Sequence, residues 1–205
     1  MRRGQLHALP IAIFPVTLAT GILTIPVVSD YSNHLLAEQA VSQTARWFWG
    51  HTISGVAFGL SILAACYITQ HLSTKGQSRS GAVSLSLIAI GGALYAFGLG
   101  ADGIGPLATA AGGGRAFTFF EGSGMRVSKV FIAASVFFGI GLISQVIGVS
   151  HTGLLKGVTR IVVFIAATVF LVSTAIPSGW GLYVVAAAVL VVYLPIAVTF
   201  WRGSM

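Results

Sequence analysis

Of the 205 residues, 56% are hydrophobic and only 7% are charged, whereas a soluble domain carries roughly 25% charged residues. A soluble fold of this size would lack polar groups for its surface, so the composition points to helices in a bilayer, whose lipid-facing surface needs none. The net charge of +7 does not indicate nucleic acid, because the basic residues are scattered without forming a patch, and cations ordinarily flank membrane helices.

Met1-Arg2-Arg3 precedes an apolar stretch over residues 9–28, which at about 20 residues can span a bilayer. No small-x-small cleavage pattern follows Val28, so the stretch reads as a retained first helix, with Pro15 expected to bend it. Residues 30–45 are polar and short. A second span, 46–69, opens with Trp47-Phe48-Trp49-Gly50-His51, an aromatic group typical of a membrane interface. It carries Gly55 and Gly59 at the spacing of close helix contact. A polar link, 70–80, holds His71, Lys75 and Arg79, and the third span, 81–100, repeats the small-residue spacing at Gly92, Ala96 and Gly100.

From Tyr95 to Lys129 the pattern gives neither a clean helix nor a disordered linker. Asp102 lies there among Gly100, Gly103 and Gly105, followed by Gly112-Gly113-Gly114-Arg115, an aromatic run over 117–120, and Glu121. An ordered loop capping the bundle is expected. The fourth span, 127–149, carries Ser135, Gly139, Gly141, Ser144 and Gly148, with Gln145 as its one amide. The fifth, 159–176, ends at Pro177-Ser178-Gly179-Trp180, and the sixth, 182–201, contains Pro195. The single cysteine, Cys66, sits in an apolar run and can form no internal disulfide.

Six spans place both termini on one side. With the N-terminus inside, Arg2, Arg3, Lys75, Arg79, Lys156, Arg160 and Arg202 lie inside, while Arg46, Arg115, Arg126 and Lys129 lie outside. That bias agrees with the positive-inside rule. All the acids, Asp30, Glu38, Asp102 and Glu121, then fall on the outer side, together with His34 and His51.

This sorting defines the candidate site. Asp30, His34 and Glu38 recur every four residues and would share a helix face. His51 lies about one turn inside the outer end of its span. Asp102 closes the third span, where flanking glycines let backbone approach closely, and Glu121 approaches the fourth. Carboxylates and imidazoles converging on one vestibule could ligate zinc, copper or iron. The plainer alternative is a solvated surface, with Asp102 or Glu121 paired to Arg115, Arg126 or Lys129, and a third is a pocket for an organic ligand. Haem held by two histidines needs a matched pair within the membrane, and His7, His71 and His151 lie toward the other face from His51. No Cys-x-x-Cys-His is present for covalent haem.

No Gly-x-Ser-x-Gly, His-Glu-x-x-His, Walker loop or nucleotide fingerprint occurs. The spans are nearly free of polar residues, which makes a poor ion path, and no internal repeat of the transporter kind stands out. The expected fold is an all-α bundle of six membrane-spanning helices, both termini cytoplasmic, in a prokaryotic cytoplasmic membrane. The first functional reading is a non-catalytic accessory subunit of a larger membrane complex, with partner subunits or further copies of itself, in contact with lipid and binding lipid or quinone. The second is a small redox protein or enzyme with an outward metal, haem or quinone site built from His51, Asp102 and Glu121. The third is a transporter, which calls for a polar cavity near Gln145.

Overall fold

The computed structural model describes residues 3–30, 32–174 and 179–203, and within them the chain is helical with no strand. In order, the helices are α1 (Arg3–Thr24), α2 (His34–Val41), α3 (Thr44–Thr74), α4 (Ser78–Ala111), α5 (Ala116–Glu121), α6 (Ser123–His151), α7 (Gly157–Ser173) and α8 (Gly179–Trp201). Five of them, α1, α3, α4, α6 and α8, are long and apolar enough to cross a membrane, while α7 is apolar but shorter. Such helices suggest an integral membrane protein. Arg2 and the expected turn at Ile176, Pro177 and Ser178 lie outside the described residues.

The six longer helices close into a ring. α1 packs on α3, α3 on α4, α4 on α6, α6 on α7, α7 on α8, and α8 returns to α1. The short helices α2 and α5 pack on each other over the end where α1 stops and α3 starts. There they enclose a small core of their own, with Val28, Ala37, Val41, Ala116 and Trp47 all buried.

Several boundaries differ from the sequence expectation for identifiable reasons. α1 begins earlier than residue 9, and it ends before 28 because a residue before proline is driven out of the helical region and Ile25 precedes Pro26. Residues 30–45 are not a plain link but contain α2, whose Asn33 carboxamide oxygen accepts the Leu35 N–H at 3.1 Å as an N-cap. The largest correction concerns the segment after Tyr95. α4 runs on through Asp102 to Ala111, α5 follows directly, and α6 starts at Ser123, so the expected capping loop is mostly helix. At 34 residues, α4 reaches about 51 Å at 1.5 Å per residue, well beyond a hydrocarbon core of roughly 30 Å. The glycines that suggested a break are instead sites of close packing. A Cβ on Gly103 would lie 2.7 Å from the His51 Cβ, and one on Gly105 would collide with the Phe119 ring.

Small residues bring the helices together, though not all of those expected to do so. A Cβ on Gly91 would strike the Phe138 backbone, and one on Gly141 would lie 2.9 Å from the Ile88 nitrogen, so α4 and α6 meet backbone to backbone. Gly55 makes only ordinary contacts, while Gly59 and Gly100 face no atom within 4 Å. The expected ridge on the second span is therefore not a packing seam.

At mid-bundle each of the six ring helices contributes one buried aromatic: Phe14, Phe58, Tyr95, Phe138, Phe170 and Tyr193. Phe58 stacks on Tyr95 at 4.2 Å, Phe138 meets Phe58 edge-on at 5.3 Å, and Tyr193 meets Phe14 edge-on at 4.9 Å. Phe170 joins Phe138 at 5.3 Å. Edge-to-face and offset pairs each contribute about 0.5–1.5 kcal/mol beyond their buried area. These rings form a floor across the bundle.

Candidate functional site

Between the α2–α5 cap and the aromatic floor lies a cavity of about 470 Å³. Most of its wall is apolar, from Leu18 and Ile22 of α1 to Leu182 and Val185 of α8, and the rings of Phe58, Tyr95, Phe120 and Phe131 face it. A few polar groups interrupt that wall, chiefly His51, Asp102, Ser54, His34 and the Tyr95–Ser135 pair. Size and composition are those of a small-molecule site.

The polar centre is built from three turns of sequence. Trp47 and His51 stand one turn apart on α3, on the face turned toward α4, and both are buried. The His51 Nδ1 lies 2.7 Å from the Trp47 carbonyl oxygen. A carbonyl only accepts, so Nδ1 carries the proton and donates it. The other ring nitrogen, Nε2, lies 3.2 Å from the Asp102 Oδ2. With Nδ1–H fixed, this contact is attractive only if one further proton lies between the two groups, either on the imidazole or on the carboxyl. His51 and Asp102 thus form a proton-holding pair.

Pro106 explains how Asp102 is held. Proline has no N–H, so the carbonyl one turn earlier in α4, that of Asp102, loses its helical partner. The Trp47 indole N–H donates to that oxygen at 2.9 Å. Trp47 therefore binds the backbone of Asp102 while its own carbonyl binds His51, and the indole and imidazole rings lie 4.4 Å apart. One residue sets both halves of the pair.

Deeper in the cavity, Ser135 Oγ donates to the Phe131 carbonyl at 2.7 Å. Its only hydrogen is then committed, so the Tyr95 hydroxyl donates to Ser135 across a 2.7 Å contact. Ser54, one turn beyond His51, is 1% exposed, and its hydroxyl has no hydrogen-bond partner among the described residues.

The other expected site residues are distributed differently. His34 reaches the cavity rim from α2 and packs edge-on against Phe117 at 5.6 Å. Glu121 is exposed on α5 and does not line the cavity. Asp30 precedes α2 rather than joining its face, and accepts the Ser32 N–H at 2.8 Å and the Ser32 hydroxyl at 2.6 Å, which lowers its pKa. Arg115 pairs with Glu38, not with Asp102 or Glu121, donating from Nε to Oε1 at 3.2 Å and from a second nitrogen to Oε2. That bidentate contact ties α2 to the start of α5 and holds the Glu38 carboxyl below its usual range. Arg126 is exposed and joins no ion pair among the described residues.

These placements bear on the chemistry. Among the described residues, no three His, Cys, Asp or Glu side chains come together, fewer ligands than a resident zinc-type ion requires. Both His51 nitrogens have partners, Nδ1 the Trp47 carbonyl and Nε2 the Asp102 carboxyl. Gln145, around which a transport cavity was expected, is wholly buried, with neither amide atom partnered among the described residues, and it does not line the cavity.

Sequence reasoning passed over Trp47, Pro106 and Ser54. The aromatic group expected at the membrane interface divides: Trp47 is fully buried and Trp49 is 56% exposed. The signal was available in the spacing: Trp47 and His51 are four apart on one face, and Trp49 points elsewhere. Comparison with protein-family models, with curated proteins and with solved structures gave no match to this chain.

Proposed function

We propose that this is a six-span membrane protein that binds a small, largely apolar molecule in the capped cavity, with its polar head against His51 and Asp102. The observation that supports this reading is the proton-holding pair set into an otherwise apolar chamber of about 470 Å³. Ionisable groups at membrane depth are costly and are kept mainly where they act on a ligand or proton. The Trp47 and Pro106 arrangement is a positioning device of the kind a binding site needs. A ligand of the lipid or quinone kind suits the wall.

In the same reading both termini are cytoplasmic and the cap faces outward, as the sorting of basic residues favours. The 17 residues of α7 reach about 26 Å, a shortfall that bilayers accommodate by local thinning.

The test is saturable quenching of intrinsic tryptophan fluorescence by a short-chain quinone or a spin-labelled lipid in detergent-solubilised protein. Ser128→Leu, which adds bulk at a cavity-lining position without adding a fluorophore, is the comparison. Binding that survives this substitution unchanged would place the ligand elsewhere and remove the reading.

A subunit role in a larger assembly is the second reading, motivated by the apolar outward face of α7, where Val158, Ile161, Ile165 and Val172 are all exposed. A monodisperse monomer after mild solubilisation, with no co-purifying protein, would count against it.

A further inference from the structure

We propose that the cavity selects a lipophilic monocation, an alkylammonium or arylphosphonium, which binds in exchange for the proton held between His51 and Asp102. This rests on the cavity being a ligand site and adds the ligand's charge and the ion it displaces.

The charge inventory of the wall carries the proposal. Among the described residues, Asp102 is the only carboxylate lining the cavity, and no lysine or arginine lines it. Its partner is a histidine, whose positive charge can be given up, whereas an arginine partner would neutralise the carboxylate permanently. In an apolar surround an uncompensated carboxylate is expensive, so the site holds either the proton or another cation. The two exclude one another.

The rest of the wall suits a cation with apolar substituents. Phe58, Tyr95, Phe120 and Phe131 present four aromatic rings to the chamber, and a cation over such a ring is attracted by its quadrupole, more strongly when desolvated. Ser54 supplies a buried hydroxyl with no other partner among the described residues, an acceptor for an ammonium N–H.

The exchange balances in charge and protons. Before binding, the pair is an imidazolium beside a carboxylate, or an imidazole beside a carboxylic acid, and is neutral in either form. The cation enters, one proton leaves to solvent, and the site becomes a neutral His51, an ionised Asp102 and the cation. Other titratable groups near the pair are few. His34 of α2 and Tyr95 of α4 line the cavity, while among the described residues α1, α5, α6, α7 and α8 add no titratable lining residue. Glu121, Arg126 and Lys129 are exposed at the cap, and Arg46 is turned to the Thr24 carbonyl and Gln43.

The experiment is calorimetric titration of the purified full chain with tetraphenylphosphonium, repeated in buffers of different ionisation enthalpy and at several pH values. Decylubiquinone serves as the neutral comparison. Expected are saturable binding and release of one proton per cation. The affinity should fall about tenfold per pH unit on the acid side, as mass action for one exchanged proton requires. Asp102→Asn should lose cation binding at least tenfold, a larger loss than it causes for the neutral ligand, and Glu121→Gln should change neither. The wild-type proton count and pH dependence stand independently should Asp102→Asn fail to fold. Neutral binding without cation binding, cation binding with no proton released, or undiminished cation binding by Asp102→Asn would each overturn the exchange while leaving the ligand site intact. Binding of neither probe would overturn both.

Discussion

Pro106 removes the one backbone donor that would have satisfied the Asp102 carbonyl, and the Trp47 indole replaces it at 2.9 Å. This dependence can be measured. Trp47→Phe keeps a ring but orphans the carbonyl, which should cost about 1–3 kcal/mol. Pro106→Ala restores an N–H at that position, so the same Trp47→Phe change should cost less in its background. A double-mutant cycle on thermal unfolding in detergent should show a coupling of about 1 kcal/mol or more; additive costs would mean that proline and indole do not act on the same oxygen. At this scale the sequence was partly legible. Sorting charges by side brought His51 and Asp102 onto one list, and the fold puts them in contact. Glu121 and Asp30 shared that list and do not join them, because side-of-membrane counting carries no information about direction within a face. The role of Trp47 was hidden for a different reason. It follows from Pro106 only once α4 is known to continue past Asp102.

α4 shows how a composition rule can fail at the level of the element. Glycine lowers helix propensity by about 1 kcal/mol relative to alanine, so a run containing Gly98, Gly100, Gly103 and Gly105 reads as broken. In the fold, Gly103 and Gly105 are where His51 and Phe119 press against the helix, and tertiary packing outweighs propensity. The same comparison separates two kinds of small residue. Gly91→Ala would push a methyl into the Phe138 backbone and should destabilise by about 1–3 kcal/mol. Gly59→Ala meets nothing and should be neutral or stabilising by up to about 1 kcal/mol. Thermal melts of the two variants side by side check this, and equal losses would show that spacing, not contact, is what matters.

The cap adds a pH-dependent prediction at the same scale. Glu38 has its carboxyl lowered by the Arg115 hydrogen bond, so the cap contact is fully present above the ordinary carboxylate range and is lost as pH falls through the lowered folded value. The protection of α2 and α5 amides, measured relative to the intrinsic exchange rate at each pH, should therefore fall on acidification, and Glu38→Gln should abolish that dependence.

For the whole molecule, the membrane class was legible from composition alone, since a chain with so few charges has no other surface to offer. The ring order and the aromatic floor were not, because single positions such as Phe14, Phe138 and Tyr193 look like any other apolar residue until six helices place them at one depth. The ring also constrains orientation. Successive long helices that alternate in direction put α2 and α5 at one end and the α3–α4 and α6–α7 connections at the other, and the proposed topology makes the second end the cytoplasmic one. Cysteine labelling decides this. Cys66 is exposed on the side of apolar α3, where surrounding lipid would keep a charged reagent away, so an impermeant maleimide should leave it unmodified in intact membranes. In a Cys66→Ser background, Ser42→Cys at the cap should label from outside without permeabilisation. Ser78→Cys, at the start of α4, should label only after the membrane is opened. The reverse pattern would invert the topology, and labelling of both positions from the same side would break the six-span alternation.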